Sequence, residues 1–146
     1  MEKGLIMLLG EHKRAIDSKG RMILPREMRQ EFSTGLIVTK GLDNCLFLYP
    51  VEEWQKLVAR IEEMPAGSEA TRRFSRLFFS NASHLMPDGQ GRILIPPGLR
   101  EMAGFSKEVL IAGVSNKAEV WDPKKWEDYK RESSNQYEQS ASEIGF

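Results

Sequence analysis

The chain repeats itself. The stretch DSKGRMILP, from Asp17 to Pro25, returns as DGQGRILIP, from Asp88 to Pro96, 71 positions on. At that offset Gly20 aligns with Gly91, Arg21 with Arg92, Ile23 with Leu94, Leu24 with Ile95, and Arg29 with Arg100. The offset then grows to 72, and GLDNCLFLYPVEEW (41–54) aligns with GVSNKAEVWDPKKW (113–126). Gly41, Asn44, Tyr49 and Trp54 meet Gly113, Asn116, Trp121 and Trp126 in order. Chance rarely preserves so many landmarks over a period this long, so the chain is a duplication. In a chain of 146 residues each copy has about 70, which makes only a marginal core. The copies therefore lean on each other or on further chains.

Each copy predicts the same elements. A strand leads into Asp-x-x-Gly-Arg, and a second strand follows at Met22 to Leu24 or Ile93 to Ile95. Pro25 and Pro96 suit the first turn of a short helix. LIVTKG and CLFLY read as a strand pair around LDN, and VLIAG and AEVW as another around VSN. Val51, Trp54, Val58 and Ile61 form one apolar helical stripe. Asp122 caps the corresponding helix of the second copy, with Pro123 at its first position. Between the copies, Ser68 caps a connecting helix whose stripe is Phe74, Leu77 and Phe78, with Arg72, Arg73 and Arg76 beside it. The units run over 7–66, 67–82 (the connecting helix), 83–132, and a polar tail at 133–146. That tail is poorly periodic and is expected to fray.

Charge excludes one simple route to a polyanion. Lys plus Arg number 21 and Asp plus Glu number 21, so any anion site must come from local segregation. Such segregation exists. From His12 to Arg29 six basic residues (Lys13, Arg14, Lys19, Arg21, Arg26, Arg29) face two acids (Asp17, Glu27), a local +4. From Glu127 onward five acids face two basic residues, a local −3. The second copy is less basic: Gln90 stands where Lys19 does.

The only cysteine, Cys45, excludes an internal disulfide and a cysteine-rich metal site, and fits a reducing cytoplasm. The apolar run Leu5 to Leu9 is too short for a signal-peptide core, and no stretch approaches a membrane span.

Taken alone, Asp-x-x-Gly-Arg is a tight turn with a charged pair. Glycine supplies the left-handed position of a three-residue turn, and Asp bonds the turn's amides. Two matched copies in a basic setting add chemistry. Turn amides with Arg and Lys suit phosphate oxygens, and a two-stranded ribbon can enter the DNA major groove, where Arg bonds guanine bidentately.

The tandem DSKGRMILP and DGQGRILIP motifs, each followed by LFLYPVEEW or AEVWDPKKW, resemble the MraZ family of bacterial transcriptional regulators. The likeness runs from about Leu8 to about Tyr129. It implies an α+β, mainly β fold: two tandem AbrB-like swapped-hairpin repeats in a pseudo-twofold, β-barrel-like core with helices outside. It implies a homo-oligomeric ring, an octamer or else a dodecamer, bound to short G-rich direct repeats in the promoter of the division and cell-wall gene cluster. The expected location is cytoplasmic, on the nucleoid. The family's DNA-contacting motif maps onto Asp17 to Arg21 and Asp88 to Arg92. Arg21 and Arg92 would contact bases or phosphates; Lys13, Arg14, Lys19 and Arg26 would attract the backbone. Asp17, Gly20, Asp88 and Gly91 would shape the turns. MLLGEHK resembles a family N-terminus, so Met7 is expected as the native start. No cofactor, metal or catalytic group is expected.

Other residues have plainer readings. Cys45 is expected as a buried thiol, and Trp54, Trp121 and Trp126 as core or subunit contacts. His12 and His84, on the strands entering the turns, lack the further ligands a metal needs. The alternative function is an antitoxin-like or other protein-interaction module on the same fold. An enzyme would need a convergent acid–base or metal constellation, which the sequence does not present.

Overall fold

The computed structural model describes residues 7–146. The reading of residues 1–6 as a segment ahead of the native start lies outside the described residues.

Local turn chemistry forms two hairpins. β3 (Leu36–Lys40) pairs with β4 (Leu46–Pro50), and β7 (Glu108–Gly113) pairs with β8 (Ala118–Trp121), each antiparallel. Asp43, Asn44 and Ser115 take positive φ in the connecting turns. Short polar side chains tolerate that region better than most. The two hairpins join edge to edge through β4 and β8.

The strands that enter the repeated turns do not form hairpins with the strands that leave them. β1 (Glu11–Ala15) pairs with β7, in the other repeat. β5 (Ser83–Leu85) pairs with β3, again in the other repeat. The strands leaving the turns, β2 (Arg21–Ile23) and β6 (Arg92–Leu94), pair only with each other. A single bridge, Ile16 to Met22, links β1 to β2. The repeats are thus swapped into one another, as the family resemblance implies. The result is a six-stranded sheet, β1-β7-β8-β4-β3-β5, and a separate ribbon, β2-β6. The sheet does not close into the expected barrel; β1 and β5 remain its edges.

Side-chain alternation makes this sheet the middle of three layers. Leu36, Val38, Leu46, Leu48, Val109, Ile111, Ala118 and Val120 point to one face. There they meet Met22 and Ile93 of the ribbon, Leu24 and Ile95 just beyond it, and Met28, Phe32, Leu99 and Ala103 of the short helical segments that follow. Phe47, Tyr49, Leu110, Ala112 and Trp121 point to the other face. That face is covered by Trp54, Leu57 and Ile61 of α1 (Val51–Glu62), Phe78 of α2 (Glu69–Ser80) and Trp126 of α4 (Pro123–Ser134). Thr39, fully buried, donates its hydroxyl to Phe78 O at 2.6 Å and pins α2 to β3.

Both expected caps form: Ser68 Oγ accepts from Thr71 N, and Asp122 accepts from Lys125 N. The proline-led segments differ between copies. In the second, α3 (Pro97–Ala103) is a true helix ended by Gly104 in a left-handed conformation. In the first, a 3-10 turn at Arg26–Met28 continues as tight turns, with i to i−3 bonds such as Phe32 N to Arg29 O.

The tail corrects an expectation. It is helical rather than irregular; α4 reaches Ser134, and α5 (Tyr137–Glu143) follows after two residues. For α4 the cause is clear. Asp128 takes Lys124 at 3.0 Å and Arg131 at 2.8 Å along the helix, while Trp126 and Tyr129 pack on Trp121.

Candidate nucleic-acid interface

The two repeated turns are near-identical objects. In the first, Gly20 N donates to Asp17 O at 3.0 Å and Asp17 N to Arg21 O at 3.0 Å. Asp17 Oδ1 accepts from Lys19 N and Arg21 N, both at 2.9 Å, and Oδ2 from Arg21 Nε at 2.7 Å. In the second, Asp88 Oδ1 accepts from Gln90 N and Arg92 N at 2.9 Å, and Oδ2 from Arg92 Nε at 2.7 Å. The aspartate thus folds the turn with one oxygen and aims the arginine with the other. The Arg21 amide, then its guanidinium, hold the Asp17 carboxyl down at about 2. Arg92 lowers Asp88 in the same way.

Gly20 and Gly91 sit at φ +93° and +77°, where a side chain is strained. A side chain would be crowded too, by fixed backbone only at Gly20. A Cβ on Gly20 would lie 2.6 Å from both Arg100 Nε and Ile95 O, and one on Gly91 would lie 2.6 Å from Arg29 Nε. Each turn is therefore braced by the arginine of the opposite repeat. Arg100 Nη1 also donates to Ser18 O at 3.2 Å, and its Nε to Ile95 O at 3.1 Å. Arg29 Nε donates to Leu24 O at 3.2 Å. The sequence reading missed this role, although the 29-to-100 alignment was its signal.

The ribbon sets the two motif arginines together. Its register is Arg21 to Leu94, Met22 to Ile93 and Ile23 to Arg92. Met22 and Ile93 face the sheet, so Arg21, Ile23, Arg92 and Leu94 share the outer face. Arg21 and Arg92 are diagonal neighbours there, with backbones roughly 7–8 Å apart. Ile23 and Leu94, 43% and 52% exposed, lie on the same face. Among the described residues the Nη groups of Arg21 and Arg92 take no hydrogen bond, because only Nε is committed to aspartate.

The remaining basic residues divide. Lys19 is exposed in the first turn, and Arg26 is exposed just past the ribbon. On β1, Arg14 lies with His12 on the ribbon side of the sheet, where His12 Nδ1 is 3.3 Å from Glu27. Lys13 points to the helix side with Glu11, which pairs with Lys130 of α4 at 3.0 Å. The structure does not bring Lys13 to the ribbon face. Cys45 is buried as expected, and burial pushes its thiol up to about 12. Trp121 is core; Trp126 packs on it, and Trp54 packs on Tyr49 and Phe78 of the same cluster.

Comparison with known proteins agrees with this architecture. The family model described as "MraZ protein, putative antitoxin-like" matches twice, over residues 7–77 and 78–145. The protein named Transcriptional regulator MraZ of Moorella thermoacetica is 44% identical over 138 residues, 94% of this chain and 96% of that protein. Proteins of the same name from Natranaerobius thermophilus and Acetivibrio thermocellus are 42% and 45% identical, with the same coverage. With two family matches, each holding one aspartate-aimed arginine turn, the chain belongs to the MraZ family.

Proposed function

We propose that this protein is a transcriptional regulator, without catalytic activity, that binds double-stranded DNA through the outer face of the β2-β6 ribbon and its two turns. One observation carries the reading. Two arginines, each aimed by an aspartate and each with free Nη groups, stand side by side on an exposed two-stranded ribbon. A spacing of roughly 7–8 Å matches about two steps of a DNA strand rising 3.4 Å each. A ribbon of two strands fits the major groove, and Arg is the commonest reader of guanine there.

Lys19 and Arg14 lie at the first turn, and Arg26 follows Leu24, whose amide bonds Gly91 O, on the side of the second turn; all three supply phosphate attraction. Lys13 contributes only to the longer-range field. The first turn is the stronger contact. It has Lys19 where the second has Gln90, and Arg100 ties down Ser18. One subunit makes few contacts, so several tandem G-rich boxes held by a ring of copies would raise effective concentration. The resemblance supports a target at the promoter of the division and cell-wall gene cluster, and a cytoplasmic, nucleoid-associated location. Among the described residues no helix is long and apolar enough to cross a membrane.

The test is a gel shift of a promoter fragment with G-rich direct repeats against a scrambled fragment, with oligomer mass measured alongside. Preferential retardation of the repeats is expected. Equal retardation of both fragments at physiological salt would overturn sequence-specific binding.

A further inference from the structure

The β2-β6 ribbon breaks the usual rule for an antiparallel pair with one buried face. On such a pair the inward positions are apolar and the outward ones polar. Met22 and Ile93 follow the rule inward, both buried against the sheet. Ile23 and Leu94 break it outward, where both are exposed. They hold the same place in the two repeats, 71 positions apart. Lys19 and Gln90 differ between the turns, yet both copies keep a large aliphatic side chain here.

The register gives each aliphatic side chain a fixed companion. Leu94 faces Arg21 across the ribbon, and Ile23 faces Arg92. The outer face is thus a grid, with two arginines on one diagonal and two aliphatic groups on the other. An apolar neighbour can steady an arginine stem, but these arginines are already aimed, each with Nε on an aspartate at 2.7 Å. Exposed apolar residues scattered singly need no explanation. Two of them interleaved with two arginines, on the face that meets DNA in the reading above, call for an apolar partner in the groove.

The major groove offers one such group. Guanine presents acceptors, cytosine an amino group, and adenine one of each; thymine alone adds a C5 methyl. We infer that Ile23 and Leu94 contact thymine methyls, so that the ribbon reads thymine close to each guanine read by arginine. Directly opposed side chains start about 5 Å apart, or one to two steps of about 3.4 Å along a DNA strand. The thymine therefore lies within about two base pairs of the guanine. This inference rests on the DNA-binding reading and extends it to a second base.

The test uses the full chain and two forms of the G-rich direct-repeat fragment, one made with thymine and one with uracil throughout. Uracil keeps every hydrogen-bonding group and removes only the C5 methyl. Burying one methyl is worth roughly fourfold in affinity, so the wild type should bind the uracil form about fourfold more weakly for each thymine contacted. The double variant Ile23→Ser, Leu94→Ser should bind both forms equally, at about the affinity of the wild type for the uracil form. Both positions are exposed, so its circular dichroism should match the wild type. Equal wild-type affinity for the two forms, with the repeats still preferred over a scrambled duplex, would overturn the inference and leave the guanine reading standing. A folded double variant that still prefers the thymine form would overturn it as well, and would assign the two side chains to steadying the arginines. Loss of any preference for the repeats over the scrambled duplex would remove the guanine reading and this inference together.

Discussion

Arg100 of the second repeat lies across Gly20 of the first, its Nε 2.6 Å from where a β-carbon would stand. Arg29 of the first repeat covers Gly91 of the second in the same way. The two repeated turns are thus shaped by residues that neither turn contains. Leu24 N donates to Gly91 O and Ile95 N to Gly20 O, both at 2.8 Å, so the backbone repeats the exchange.

Alanine at the two glycines should therefore act unequally. At Gly20 the new methyl meets the fixed carbonyl of Ile95 as well as Arg100; at Gly91 the closest atoms all belong to the Arg29 side chain, which can move. Gly20→Ala should cost about 1–3 kcal/mol and Gly91→Ala about 1 kcal/mol. Urea denaturation of both variants measures the difference. Equal losses would mean that backbone strain, not crowding, sets the cost.

Replacing Arg21 should remove specificity without removing the oligomer. Arg21→Ala should lose about 1–3 kcal/mol toward the G-rich repeats and relax preference there, while Lys19→Ala should weaken all sequences alike and lower the salt slope by about 1. Fluorescence anisotropy on specific and scrambled duplexes across salt concentrations separates the two. A changed sequence preference in Lys19→Ala would make Lys19 a base reader.

The turns should also set part of the acid stability. Folded Asp17 titrates at about 2, below its ordinary 3.8, because the Arg21 amide and guanidinium favour the carboxylate. Its stabilising effect is full above the ordinary value and drains as pH falls toward about 2. Asp17→Asn should therefore lower Tm near neutral pH and flatten the fall in Tm between about pH 4 and 2. A carboxyl NMR titration of Asp17 with a midpoint at the ordinary value would refute the network in solution.

Cys45 should be inert while the protein is folded. It lies under the helical layer with its thiol raised to about 12, so almost no thiolate exists at neutral pH. Iodoacetamide should modify it slowly in buffer and at least 100-fold faster in denaturant, on the order expected for release of a buried thiol. Mass spectrometry reads both rates.

The parts of the fold that were legible in the sequence are local. The LDN and VSN turns carry their own left-handed residues, and Ser68 and Asp122 carry their own caps. The strand exchange was not legible from residue patterns, since pairing His12 with Ile111 or Met22 with Ile93 depends on which distant edge is open. Only family resemblance foretold it. The arginine turns were visible as motifs, but their placement on one face follows from a register between strands 71 residues apart. Arg29 and Arg100 were seen as an aligned pair and not as braces, because a brace acts on the other repeat. The tail looked aperiodic because its polar residues hide the short run Tyr137, Ala141, Ile144. That stripe is detectable once the window is cut to two turns.

The exchange of strands has a consequence for how such a protein can change. A single-repeat ancestor pairing β2 with its own copy would be a strict homodimer, and any substitution in its turn would appear twice. Joining the copies in one chain breaks that constraint. Lys19 and Gln90 already differ while both turns keep the same Asp–Arg geometry. Fusion thus lets one turn hold a binding role while its twin is free to drift toward another.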